Sequence, residues 1–174
     1  MKKFFLTGFI TCIATLISYS NSQAQSSGGS AKAMSKSLLT DMNTSVSGIY
    51  PLKDLKAKAL KHFTQSFKQA TNVNWYSVKD GIMAYFIEDG IKTRACYTNK
   101  GAWLYNLRNY SGKFLPADER RQIKYTFIDY DITWVNEIKT PKEMIYMVHI
   151  EDSTRFKIVR LSGGDLEIAE EYSK

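Results

Sequence analysis

The chain has 174 residues, two cysteines and two histidines, which is length for one domain or two small halves and little stock for a metal centre or a disulfide framework. Its formal charge is +7 and 13% of its residues are aromatic, but no recognisable nucleic-acid motif accompanies the basic residues, so nucleic acid is not an expected partner.

Met1-Lys2-Lys3 is a positively charged start, and Phe4 to Ile17 follows as an apolar run of about 14 residues, short for a permanent membrane span. Ser22-Gln23-Ala24 then presents small side chains at the two positions a signal peptidase reads. Residues 1-24 are therefore expected to be a signal peptide cleaved after Ala24, leaving no transmembrane anchor and a periplasmic or secreted product. Cleavage removes Lys2, Lys3 and Cys12, lowers the formal charge to +5 and leaves Cys96 without a disulfide partner, so the core must hold by burial. Residues 25-49 are rich in Ser, Gly, Thr, Asn and Met and read as a flexible linker, because they offer little apolar surface to offset the entropy of ordering.

The folded domain is expected over residues 50-174. Leu52, Leu55, Ala59, Phe63 and Phe67 recur at helical spacing, with Pro51 near the first turn and Asn72 closing the element. Strands are predicted at Val73 to Val78, Ile82 to Glu88, Ile91 to Thr98 and Ala102 to Arg108, separated by Asp80-Gly81, Asp89-Gly90 and Asn99-Lys100-Gly101. Pro116-Ala117-Asp118-Glu119 then reads as a helix start, with acidic residues at the positive end of the dipole. Further strands are predicted at Ile132 to Ile138, Glu143 to Glu151, Thr154 to Leu161 and Leu166 to Glu171.

The two halves can be laid over each other. Ile87-Glu88-Asp89 matches Ile150-Glu151-Asp152 at an offset of 63, and Trp75 matches Trp134 at 59. The expected fold is α+β: a tandem repeat, about 50-114 and 115-174, of a helix followed by an antiparallel β-meander, with the helices packed on one face of the sheet. Asn72-Val73-Asn74-Trp75, the turn Asn99-Lys100-Gly101-Ala102-Trp103-Leu104, Leu115-Pro116 and Gly163-Gly164-Asp165-Leu166 resemble the PepSY-like proteins described as β-lactamase-inhibitor-like, small exported bacterial proteins. The resemblance covers roughly Tyr50 to Tyr172. It implies helices over one sheet face and an open face on the other side, the face with which the inhibitor that lends its name grips an enzyme.

No catalytic constellation emerges. His62 and His149 fall on different elements, no Gly-x-Ser-x-Gly elbow is present, and Cys96 reads as a sheet residue, so neither a metal, a cofactor nor an enzyme activity is expected. Glu88-Asp89 and Glu151-Asp152 sit at hairpin ends and read as turn residues. Asn43-Thr44-Ser45 and Asn109-Tyr110-Ser111 match glycosylation sequons that a bacterial-type leader makes incidental.

Aromatic placement is more informative. Phe63, Phe67, Trp75 and Trp134 fit buried positions between helix and sheet, yet several strands are apolar on both faces, more than a sheet covered on one side needs. Tyr85, Tyr97, Trp103, Tyr105 and Tyr146 are therefore the candidate contacts of a sheet face that binds a protein or peptide in the envelope or outside the cell. The charge distribution supplies an alternative. Residues 25-115 carry 13 basic and 5 acidic side chains and residues 116-174 carry 9 and 12, so the basic N-terminal half could meet an anionic surface or glycan, although Lys53, Lys56, Lys58, Lys61 and Lys68 also fit the solvated side of one helix.

Overall fold

The computed structural model describes residues 48-174. The signal peptide and nearly all of the linker expected from the sequence lie outside the described residues.

Pro51 caps a 3-10 turn, Leu52–Asp54, rather than the helix itself, and the backbone is extended at Leu55 and Lys56. Helix α1 then spans Ala57–Ser66. Its apolar stripe of Ala59 and Phe63, continued by Phe67 just past the helix, is buried, while Leu52 and Leu60 are exposed. The three buried side chains sit on Trp75, Ile82, Ala84, Phe86, Ala95 and Tyr97 of the sheet. Phe63 meets the Phe86 ring edge-on at 5.0 Å and Trp75 at 5.2 Å, and Phe67 lies 4.7 Å from Phe86. Each such side chain contributes roughly 1.5–3 kcal/mol through burial. Helix α2, Ala117–Thr126, follows Pro116 with Asp118 and Glu119 in its first turn. Arg120 ties it to the preceding 3-10 turn, Gly112–Phe114, by donating to the carbonyls of Gly112, Lys113 and Leu115 at 2.9, 2.6 and 3.1 Å.

The strands are β1 (Gly48–Ile49), β2 (Thr71–Val78), β3 (Gly81–Glu88), β4 (Ile91–Thr98), β5 (Trp103–Ser111), β6 (Asp131–Lys139), β7 (Met144–Glu151), β8 (Arg155–Ser162) and β9 (Asp165–Ser173). They form one nine-stranded sheet in sequence order, every neighbour antiparallel. Gly48 and Ile49, which the sequence reading placed in the linker, pair with Ser77 and Tyr76.

The tandem repeat expected from the sequence is overturned. Among the described residues there is one continuous sheet with two ten-residue helices, and β5 and β6 are joined by a full ladder from Asn106↔Lys139 to Ser111↔Trp134. The offsets on which the repeat rested also fail in register. Trp75 pairs with Ala84 on the helix-covered face, whereas Trp134 pairs with His149 on the other face, and Val135 and Val148 take the positions over which α2 packs. Ile87 and Ile150, matched at 63, likewise lie on opposite faces. The side-chain period of a strand is two, so an alignment one residue out reverses the face of every side chain it matches. β-bulges between Thr71 and Asn74 and between Ile132 and Trp134 make such slips easy.

Two turns follow their sequence chemistry closely. Asp89 and Gly90 have φ of 51° and 74°, as a two-residue hairpin with positive φ at both centres requires. Gly81 serves another purpose: the β2–β3 turn is Lys79-Asp80, and a Cβ on Gly81 would stand 1.9 Å from the Tyr97 carbonyl oxygen, so only glycine allows β3 and β4 to pair there.

Candidate functional site

The register divides the five aromatic candidates between two faces. Tyr97, Trp103 and Tyr146 lie on the helix side. Tyr97 is fully buried at 1% exposure, against Trp75 at 5.7 Å and accepting or donating a 3.1 Å hydrogen bond with His62 Nδ1, and burial raises its pKa. Trp103 stacks on His62, centroids 5.0 Å apart and planes 18° apart, and its Nε1–H donates to Asn106 Oδ1 at 2.7 Å. Tyr146 packs against the cluster beneath α2, and burial, with the Glu137 and Glu119 carboxylates adding to it, pushes its phenol up to about 12.

Tyr85 and Tyr105 are on the opposite face, over which neither helix packs. Pairing there lines up Tyr85, Arg94, Leu107, Ile138 and Ile145 across five strands. Leu107, Ile138, Ile145 and Met147 form a buried aliphatic cluster against which Tyr105, Ile158 and Ala169 pack. Arg160 on the same face reaches Glu143 at 3.4 Å and Glu167 at 3.6 Å, and Ser162 Oγ donates to Glu143 Oε2 at 2.7 Å.

Further along this face Asn109 Nδ2 donates to Asn136 Oδ1 at 2.6 Å, and Asn136 Nδ2 in turn donates to His149 Nε2 at 3.0 Å. Burial lowers the His149 pKa, which keeps Nε2 a free acceptor, against a smaller opposing effect of Glu170. Trp134, expected in the core, is 44% exposed beside this network. Sequence reasoning missed it as a surface residue because its apparent match, Trp75, is a core residue.

The helix side contains a second feature, a cleft of about 320 Å³ beside α1. His62, Phe67, Trp103 and Met144 line it together with the charged residues Glu88, Arg108, Glu137 and Lys139. Glu137 is engaged there through both oxygens: Tyr110 donates to its Oε2 at 2.6 Å and Arg108 to its Oε1 at 3.4 Å. Of the two acidic pairs, Asp89 and Asp152 serve the turns as their positions suggested, while Glu88 and Glu151 are the last residues of β3 and β7. Asp152 Oδ1 accepts from the backbone N–H of Thr154 at 2.7 Å and of Arg155 at 2.6 Å, bonds that hold its carboxyl well below the usual range. Cys96 is a buried residue outside any disulfide. Among the described residues no group of three or more His, Cys, Asp or Glu side chains is placed to hold a metal, and no helix is long and apolar enough to cross a membrane.

No family model matches the chain, and neither does any curated protein sequence. Solved structures do. A BLIP-like protein from Bacteroides fragilis superposes with a TM-score of 0.56 at 14% identity, over 73% of this chain and 89% of that one. A candidate periplasmic protein from Bacteroides eggerthii gives 0.53 at 15% identity over 72% and 90%, and a DUF2874 family protein from Bacteroides uniformis gives 0.52 at 14% over 67% and 88%. At these identities the likeness establishes the fold, which is BLIP-like. The β-lactamase-inhibitor-like resemblance read from the sequence thus holds at the level of architecture.

Proposed function

We propose that this protein is a non-catalytic exported binding module of PepSY-like type that engages a protein or peptide through the sheet face without helices. The observation that carries this reading is the set of partly accessible aromatic side chains on that face, the half-buried Tyr85 and Tyr105 and the half-exposed Trp134, presented over the buried aliphatic cluster of Leu107, Ile138, Ile145 and Met147. Tyr and Trp over an apolar centre are the residues that dominate interface energetics. Tyr85 and Tyr105 remain candidate contacts; Tyr97, Trp103 and Tyr146 face the helices and are withdrawn from that surface.

The test is a photo-crosslinking amino acid placed at Tyr105, on the sheet face, or at Tyr125, exposed on α2, in the native envelope at about 0.5 M salt, where surface charge attraction is largely screened. The expected result is a discrete adduct from position 105, absent from position 125 and reduced when Trp134→Ala is added. An adduct at 125 alone, or none at 105, would sink the reading.

A second reading has its own observation. Lys53, Lys56, Lys58, Lys61 and Lys68 are all exposed and make no ion pair among the described residues. They support attachment to an anionic surface or glycan through the basic N-terminal half. Retention on such a matrix should then fall steeply between about 50 and 300 mM salt, whereas an aromatic-centred interface should persist.

A further inference from the structure

The surface around α1 carries two kinds of side chain together. Lys53, Lys56, Lys58, Lys61 and Lys68 are exposed and form no ion pair among the described residues, and Asp54 is the one carboxylate from Gly48 to Lys79. The turn between β4 and β5 adds to them. A Cβ on Gly101 would stand 2.9 Å from the Lys56 Cβ and 3.4 Å from the Lys58 Cβ, so the neighbouring Lys100, also exposed, belongs to the same patch. Among these lysines stand Ile49, Leu52 and Leu60, at 81%, 71% and 45% exposure. Ile49 ends β1, Leu52 adjoins Lys53 in the 3-10 turn, and the Leu60 N–H donates to the Lys56 carbonyl at 3.1 Å, one helical turn away.

A field of unpaired lysines draws any polyanion. The protruding aliphatic side chains discriminate among polyanions. A charged glycan offers no apolar interior, so Ile49, Leu52 and Leu60 would stay in water when it binds. An anionic bilayer offers phosphates at the level of the ammonium groups and acyl chains just beneath, and a peripheral protein holds by the two together. The lysine stems bury their methylenes there while their charged ends stay at the headgroups. The surface of α2 makes the contrast. Tyr125 and Ile128 protrude at 87% and 75% exposure, but Arg121 and Lys124 beside them are paired with Asp118 and Asp131 at 3.0 and 3.6 Å. Residues 112-131 carry four basic and four acidic side chains, so no net attraction to an anionic surface arises there.

We propose that the surface around α1 docks on an anionic phospholipid bilayer, with Ile49, Leu52 and Leu60 entering the interface between lysines that meet the lipid phosphates. This inference rests on the reading in which the basic N-terminal half meets an anionic surface, and it names that surface. Because α1 packs on one side of the sheet, docking there leaves the opposite face, with Tyr85 and Tyr105, turned away from the membrane.

The test takes the protein recovered after export and compares co-sedimentation with vesicles of phosphatidylcholine, alone or in equal mixture with phosphatidylglycerol, against retention on immobilised heparin. Binding is expected to the mixed vesicles and not to the neutral ones. Ile49→Ser with Leu52→Ser should weaken vesicle binding by about tenfold or more and leave heparin retention unchanged. Lys53→Gln with Lys61→Gln should weaken both, and Tyr125→Ser with Ile128→Ser should change neither. All six side chains are exposed, so the variants should fold, which circular dichroism checks. Retention on heparin without vesicle binding, or vesicle binding indifferent to Ile49 and Leu52, would overturn the bilayer and leave the basic surface standing. Binding to neither would overturn both.

Discussion

Tyr110 donates a 2.6 Å hydrogen bond to Glu137 across β5 and β6, joining two buried side chains at the seam where the first five strands meet the last four. Burial and the bond to Glu137 both raise the Tyr110 pKa, so the phenol stays protonated and donating throughout the physiological range. Tyr110→Phe leaves the buried Glu137 carboxylate with the 3.4 Å contact to Arg108 alone in place of two donors, and should cost about 1–3 kcal/mol in urea unfolding. Tyr85→Phe, on the open face, should be close to neutral. Equal stability of the two variants would remove the seam bond from the account.

The two tryptophans that look alike in sequence should behave oppositely. Trp75, at 5% exposure against Phe63 and Tyr97, should cost about 3–5 kcal/mol on replacement by Ala, measured by thermal or urea denaturation. Trp134→Ala should cost far less, and its effect should fall on partner binding. A large stability loss at Trp134 would show that it is covered in solution.

Acid should loosen the open face before it reaches the carboxylates. The folded-state pKa of His149 is depressed by burial, so its contribution is fully present above the unfolded value of about 6.5 and is lost as pH falls below it, when the unfolded chain takes up a proton that the fold resists. His62 shifts in the same direction for the same reason. Protonating His149 also removes the acceptor used by Asn136 Nδ2. The urea midpoint should therefore drop between pH 7.5 and 5.5, and His149→Gln should flatten that slope. Asp152, whose pKa is lowered, adds a separate loss only below about pH 4.

Gly81→Ala should destabilise by about 1–3 kcal/mol, because the added methyl must displace the Tyr97 carbonyl and with it the β3–β4 pairing. Gly90→Ala meets open space and is opposed by the positive φ alone, so it should cost about 1 kcal/mol. Thermal melts of the two variants check the order.

Elements were legible where local chemistry is strong. Phe63 and Phe67 at helical spacing, Pro116 before Asp118 and Glu119, and Asp89-Gly90 between alternating strands each mark structure through forces that act within a few residues. Faces were not legible. Tyr85 and Tyr97 look equivalent along the chain, yet one lies on the open face and the other beneath α1, and only cross-strand register decides between them. Register in turn depends on bulges, such as the one between Ile132 and Trp134, that leave no periodic mark when both faces are apolar. The cleft was hidden for a different reason. Glu88, Arg108 and Lys139 come from three strands and line one space once β5 pairs with β6.

The strictly sequential strand order bears on how quickly the chain can fold. Every strand pairs with the one synthesised just before it, with no crossover, so most ladders close short loops at small entropic cost. Low contact order of this kind favours rapid folding for an all-antiparallel sheet. Among the eight long strands, β2 to β9, the longest closure is the one between β5 and β6, which must wait for α2 and its flanking turns, Gly112 to Tyr130, to be made. Zipping should therefore run outward from hairpins on both sides and finish at the Tyr110–Glu137 seam, making mutations there act chiefly on the unfolding rate.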